Sequence, residues 1–172
     1  MSFKAGTLIG ALFLLLVGCG YYSFKGNLPP HLHDIEVKLF ENQTIEPDID
    51  MDLEEQLSRR FEEERILPLA AGEQADSYLA GKILKAQDLP YTYDENEKVK
   101  SYRLVVDVEV SWFDKVQQKV LFDKRFHEFD VYYSDLENSR LAPENRVERT
   151  QAYQNVLQKI VDDIIEAMTA RW

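Results

Sequence analysis

The chain is poor in cysteine: among 172 residues only Cys19 carries a thiol. One cysteine permits no internal disulfide and no cysteine-rich metal site. Seven glycines and six prolines are too few for a low-complexity or fibrous chain, so the composition is that of a globular protein. Basic residues are also short, 20 against 31 acidic, which leaves a formal charge of −11 and a pI near 4.7. Such a surface repels nucleic acid, whose binding rests on clustered Lys and Arg neutralising phosphates. It repels anionic membranes too, unless a local basic patch or a covalent anchor intervenes. Catalytic signatures are missing as well. There is no Gly-x-Ser-x-Gly elbow, no phosphate-cradling glycine loop and no His-Glu-x-x-His helix. The expectation is a non-enzymatic protein without cofactor or metal.

What the chain does have begins at its N-terminus. Met1-Ser2-Phe3-Lys4 carries one positive charge, and Ala5 to Val17 then runs apolar. That run is shorter than the roughly 20 residues a membrane-spanning helix needs and suits the apolar region of a secretory signal. It ends in Leu16-Val17-Gly18-Cys19, which resembles the lipobox of bacterial lipoproteins. The resemblance implies a signal peptide at residues 1–18, cut before Cys19, and a diacylglycerol plus an N-acyl chain on that cysteine. Two lipid signals already anchor a protein stably. The alternative for Cys19 is an ordinary core thiol. Gly20, rather than aspartate, follows the cysteine, and in diderm bacteria this points to the outer membrane.

Residues 19–34, with Gly20, Gly26, Pro29 and Pro30, read as a lipidated tether. Residues 35–172 read as a single domain. Ile35-Glu36-Val37-Lys38-Leu39 alternates, so a strand with Ile35, Val37 and Leu39 facing inward is expected. Pro47, Asp48, Asp50 and Asp52 then open a helix whose apolar stripe is Ile49, Leu53, Leu57 and Phe61. Residues 78–93 and 99–113 flank the polar turn Asp94-Glu95-Asn96-Glu97. In the second of these strands Tyr102, Leu104, Val106, Val108, Val110 and Trp112 share one face. Val116 to Lys119 makes another turn, and Val120 to Tyr133 resumes as a strand. Asn145 and Glu148 form a capping box for a last helix striped by Tyr153, Leu157, Ile160, Val161, Ile164 and Met168. The order β-α-β-β-β-α predicts an α+β two-layer sandwich, with two helices packed on one face of a four-stranded sheet.

Few side chains suggest a site. His31 and His33 would share a face of an extended segment, but two ligands on a tether seldom hold a metal. Lys98, Lys100 and Arg103 follow the acidic hairpin tip, and Lys115, Lys119, Lys124, Arg125 and His127 lie near the other β turn. In a strand Lys98 and Lys100 would project together. Such a cluster either engages the phosphates of a lipid head group or consists of solvated lysines balancing nearby acids. Tyr91, Tyr93, Tyr102, Trp112, Phe126, Phe129, Tyr132 and Tyr133 divide between core and an open sheet face suited to a partner.

Taken together these segments resemble LptE, the lipoprotein family of lipopolysaccharide assembly. The similarity runs through Cys19-Gly20-Tyr21-Tyr22-Ser23-Phe24, Leu28-Pro29-Pro30, Ile35-Glu36-Val37, Phe40-Glu41-Asn42 and Glu46-Pro47. It continues through Ala75-Asp76, Gly81-Lys82-Ile83, Tyr93-Asp94-Glu95-Asn96 and Tyr102-Arg103-Leu104. The resemblance implies two helices on one four-stranded sheet and a plug role inside an LptD-type outer-membrane β-barrel. It also implies support of lipopolysaccharide transport, with contacts to that lipid through basic residues around the β-hairpins. Lys98, Lys100 and Arg103 are the candidates here, near the tip rather than at matched positions. The competing expectation is a free-standing periplasmic lipoprotein that binds lipid or peptidoglycan.

Overall fold

The computed structural model describes residues 28–133 and 147–169. The expected signal peptide, Cys19 and Asn145 lie outside the described residues; Glu148, expected inside the first turn of the last helix, instead precedes it, and its carbonyl accepts the Ala152 N–H. Five strand segments and two helices follow one another as β1 (Ile35–Val37), β2 (Glu41–Asn42), α1 (Ile49–Glu64), β3 (Ser77–Tyr93), β4 (Val99–Asp114), β5 (Lys119–Tyr133) and α2 (Arg149–Thr169). The α+β expectation holds, with a mixed sheet. β3, β4 and β5 form an antiparallel meander, while β1 and β2 both run parallel to β3 along its other edge.

The first strand departs from its expected pattern. Ile35 is fully buried, but Leu39 is 59% exposed and Phe40 is 2% exposed. The alternation breaks after Val37, so the edge is two short pieces rather than one strand to Leu39. Lys38 N–H still donates to Leu79 O, and Gln43 N–H to Ile83 O, which keeps both pieces on β3. The break turns Phe40 onto β3 at Gly81. A Cβ on Gly81 would lie 2.6 Å from the Phe40 ring and 2.2 Å from the Glu109 carbonyl, so only glycine fits there.

Each helix lays one apolar stripe on the same face of the sheet. In α1 the stripe is Ile49, Leu53, Leu57 and Phe61, all fully buried and each contributing roughly 1.5–3 kcal/mol by leaving water. The helix begins at Ile49, after Pro47, and Asp48 precedes it in the left-handed region with φ 59°. α2 buries Val156, Leu157, Ile160 and Ile164 among others. The β4 residues Leu104, Val106, Val108, Val110 and Trp112 meet these stripes and are inaccessible to solvent. Tyr153 Oη donates to Asp52 Oδ2 at 2.7 Å and so pins one helix to the other. Burial and that carboxylate both push the Tyr153 phenol well above its ordinary value.

Residues 28–34, just before β1, are part of the folded body. Leu32 is buried, and His31 Nε2 pairs with Asp114 Oδ2 at 2.6 Å. His33 Nδ1 and N–H both reach Asp76 Oδ2 at 3.0 Å. The two histidines are thus engaged separately, by different carboxylates. Among the described residues no group of three or more His, Cys, Asp or Glu could hold a metal ion.

Candidate functional site: the open face of the sheet

The helices cover one face of the meander, and the register defines the other. Its rows, read across β3, β4 and β5, are Lys82-Glu109-Arg125, Lys85-Asp107-His127, Gln87-Val105-Phe129, Leu89-Arg103-Val131 and Thr92-Ser101-Tyr133. A register shift at Ile83/Lys85 lets β3 keep Lys82 and Lys85 on this face although they are three residues apart. Ionic rows therefore occupy the middle, and apolar and aromatic rows lie toward the β3–β4 hairpin.

Asp107 anchors the ionic part. It is 6% exposed, and its carboxylate accepts hydrogen bonds from Arg125 Nη2 at 2.8 Å and from His127 Nδ1. Burial pushes this carboxyl up, but the bonds from His127 and Arg125 outweigh it and hold the group below the usual carboxylate range. A buried acid thus fixes an arginine and a histidine on an otherwise open surface.

Arg103 anchors the apolar part. Its guanidinium lies 6.0 Å from the ring centroids of both Tyr91 and Phe129. Tyr91 reaches Arg103 because it occupies the register shift between Pro90 and Thr92. The Arg103 Nε is enclosed without a hydrogen-bond partner. Tyr91 is 49% and Phe129 40% exposed, so this end combines apolar area, ring faces and a cation. At the opposite end Lys38 Nζ sits 3.8 Å over the Tyr78 ring, which stacks on Phe113.

The hairpin tip is built by an acid. Asp94 Oδ1 accepts the N–H groups of Asn96 and Lys98, and Asp94 N–H donates to Lys98 O. Those backbone bonds, from Lys98 and then Asn96, hold the Asp94 carboxyl below its ordinary value. The acidity of the tip is thus partly turn chemistry. Lys98 belongs to this turn rather than to β4, and Lys100 falls in a second register shift, opposite Thr92/Tyr93. Both are exposed, but strand alternation does not align them. Arg103 is separated from them, half-buried among the open-face rings. Sequence reasoning missed the Asp107-Arg125-His127 group because only the β4–β5 register brings it together. It did place Tyr91 and Phe129 among aromatics that divide between core and open face; Trp112 and Phe126 went to the core, and Tyr102 stacks on Tyr132. Burial and the neighbouring Asp88 push the Tyr132 phenol up to about 12.

A concavity of about 690 Å³ opens beside Leu28, the first of the described residues. Leu32, Phe61, Ile66, Leu67 and Leu69 line it, with Arg65 at its wall. None of the described helices is long and apolar enough to cross a membrane.

The family described as "LptE: Lipopolysaccharide-assembly" matches residues 32–168 of this chain. No curated protein matches it. Among solved structures, uncharacterized lipoprotein B from Nitrosomonas europaea superposes with a TM-score of 0.57 at 16% identity, covering 83% of this chain and 84% of that one. Rare lipoprotein B from Shewanella oneidensis gives 0.54 at 13% identity, with coverages of 78% and 94%. A PelC dodecamer from Paraburkholderia phytofirmans gives 0.53 at 15% identity, with coverages of 79% and 91%. At these identities the likeness concerns the fold.

Proposed function

The chain belongs to the LptE family of lipopolysaccharide-assembly proteins, and on that premise we propose that it is a non-catalytic lipoprotein that plugs and helps assemble an LptD-type outer-membrane barrel. In this role it supports lipopolysaccharide transport to the outer leaflet. The observation that carries the reading is the uncovered sheet face. One face of the meander is sealed by helices, while the other carries alternating cations, acids and aromatic rings with none of the described elements upon it. The lumen of a large barrel is polar, and a plug inside it must offer mixed polar and aromatic contacts rather than a second core. The lipidated Cys19 would hold the body at the periplasmic face of the outer membrane. Lys98, Lys100 and Arg103 remain the candidate contacts to lipopolysaccharide, the first two at the tip and the third within the ring-lined end.

Affinity purification of the full-length protein from its own membranes tests this directly. An LptD-type barrel should co-purify, and depletion should leave that barrel misassembled. Normal barrel assembly without this protein would defeat the proposal. A second reading, a free-standing lipid-binding lipoprotein, is favoured by the apolar concavity beside Leu28, which is of a size for acyl chains. Tight lipopolysaccharide binding by purified protein alone, abolished by Lys98→Glu with Lys100→Glu, would support it.

A further inference from the structure

The turn between β2 and α1 presents Ile45 at 97% exposure, the most exposed of the large hydrophobic side chains described. A lone exposed isoleucine is ordinary on its own; what is unusual is the scaffold beneath it. Asn42 Oδ1 accepts hydrogen bonds from Thr44 N–H and Thr44 Oγ1, each at 2.9 Å. Asn42 Nδ2 donates to Glu46 O at 2.9 Å, and Glu46 N–H donates to Thr44 Oγ1 at 3.1 Å. The turn is then tied to the rest of the body from two sides. Gln43 N–H donates to Ile83 O of β3. Arg149, in the first turn of α2, grips the Glu46 carboxylate with Nη1 and Nη2 at 3.1 and 2.7 Å and reaches Asp88 with Nε at 3.0 Å. Bonds to both residues flanking Ile45 leave its backbone little freedom, and its β-branched side chain is stiff at χ1.

None of this architecture buries Ile45, and any polar residue would satisfy the turn. A pre-organised apolar knob loses little entropy when it enters a pocket, which is the property of an interface anchor. The surrounding charge narrows what that pocket belongs to. Every charged side chain from Glu41 to Ser58 is acidic. The cations that reach the turn are already engaged, Lys82 by Glu41 at 3.6 Å and Arg149 by Glu46 and Asp88. Such surroundings repel phosphate-bearing lipid and disfavour a second copy of the same acidic patch. They complement a protein surface with an apolar socket and a Lys- or Arg-bearing rim.

We propose that the Asn42–Pro47 turn is a docking knob, with Ile45 as its anchor, that inserts into an apolar, basic-rimmed socket on the barrel partner. The identity of the occupant rests on the barrel reading above; the knob itself rests on the turn geometry. The test uses the full-length lipoprotein in native membranes, with a photo-crosslinking residue in place of Ile45 and separate Ile45→Asp and Ile45→Val variants. The expected results are a crosslink to the LptD-type barrel and about a tenfold or greater loss of co-purified barrel for Ile45→Asp. Ile45→Val should retain the barrel within about twofold, and both variants should melt with the wild-type protein. A crosslink to lipid, to a second copy of the chain or to nothing would overturn the proposal. So would barrel retention by Ile45→Asp while the wild type also retains it, which leaves the plug reading standing. If the wild-type protein brings down no barrel, both fall together.

Discussion

The two faces of β4 are made by the same strand, yet they are held in different ways. On the helix side Leu104, Val106, Val108 and Val110 are buried by apolar stripes, and nothing there depends on charge. On the open side Val105 and Asp107 are almost as inaccessible, at 3% and 6%, without either of the described helices above them. Their cover is made of neighbours lying across the sheet. Phe129 stands beside Val105 in the register, and Arg125 with His127 closes over Asp107. The helix face is sealed by packing and the open face by side chains that can rearrange. A surface of the second kind is ready to exchange its cover for a partner.

Four experiments break or sharpen that contrast, the largest expected effect first. Gly81→Ala forces a Cβ against the Phe40 ring and the Glu109 carbonyl on the packed side, and it should cost about 3 kcal/mol or more by denaturant unfolding. A near-neutral result would mean that the packed face is looser than described. Next comes a matched pair of truncations. Val108→Ala on the helix face should cost roughly 2–3 kcal/mol, and Val105→Ala on the open face about 1 kcal/mol, because Phe129 can settle into the gap. Equal costs would erase the distinction between the faces.

Acid titration probes the ionic cover. Asp107 and Asp114 both have folded-state carboxyls held below the ordinary 3.8. For Asp114 burial works upward, and the Gln117 N–H and His31 bonds overcome it. A lowered carboxyl binds its proton less readily in the folded state than in the unfolded one. Its stabilisation is therefore complete above about pH 4 and is lost as pH falls through the folded value. Asp107→Asn should flatten the part of the stability profile below pH 4 and weaken the fold at neutral pH, as thermal melts across pH would record. An unchanged profile would show that Arg125 and His127 gain nothing from the acid. The smallest effect on stability is expected from Arg103→Gln, roughly 1 kcal/mol or less, since its rings lie at the outer limit of cation–π distance. Its effect should instead fall on barrel co-purification. A large loss of stability with unaltered partner binding would reverse that assignment.

Much of the fold is legible in the sequence because its signals are periodic. The four-residue spacing of Ile49, Leu53, Leu57 and Phe61 and the alternation from Tyr102 to Trp112 both name the buried face directly. The reading fails at Leu39, where a break after Val37 hands the inward position to Phe40. Strand alternation carries no signal for such a break; the glycine at Gly81, which makes room for the ring, is its only trace. The candidate site is less legible still. Asp107, Arg125 and His127 meet through cross-strand register, and the Ile45 turn is fixed by bonds to Arg149 from the far end of the chain. Local pattern contains neither distance.

The clip formed by His31 and His33 has a mechanical consequence. Asp114 and Asp76, which it grips, lie at the end of β4 and the start of β3, at the opposite end of the meander from the Asp94–Lys98 hairpin. β3 alone spans 17 residues, and at about 3.3 Å per residue that separates the two ends by roughly 50 Å. The meander therefore works as a ruler. If Cys19 carries the proposed lipid, tension from that anchor would load one end through two histidine–carboxylate latches, while the basic residues beside the hairpin lie farther off than the roughly 30 Å of a bilayer's hydrocarbon core.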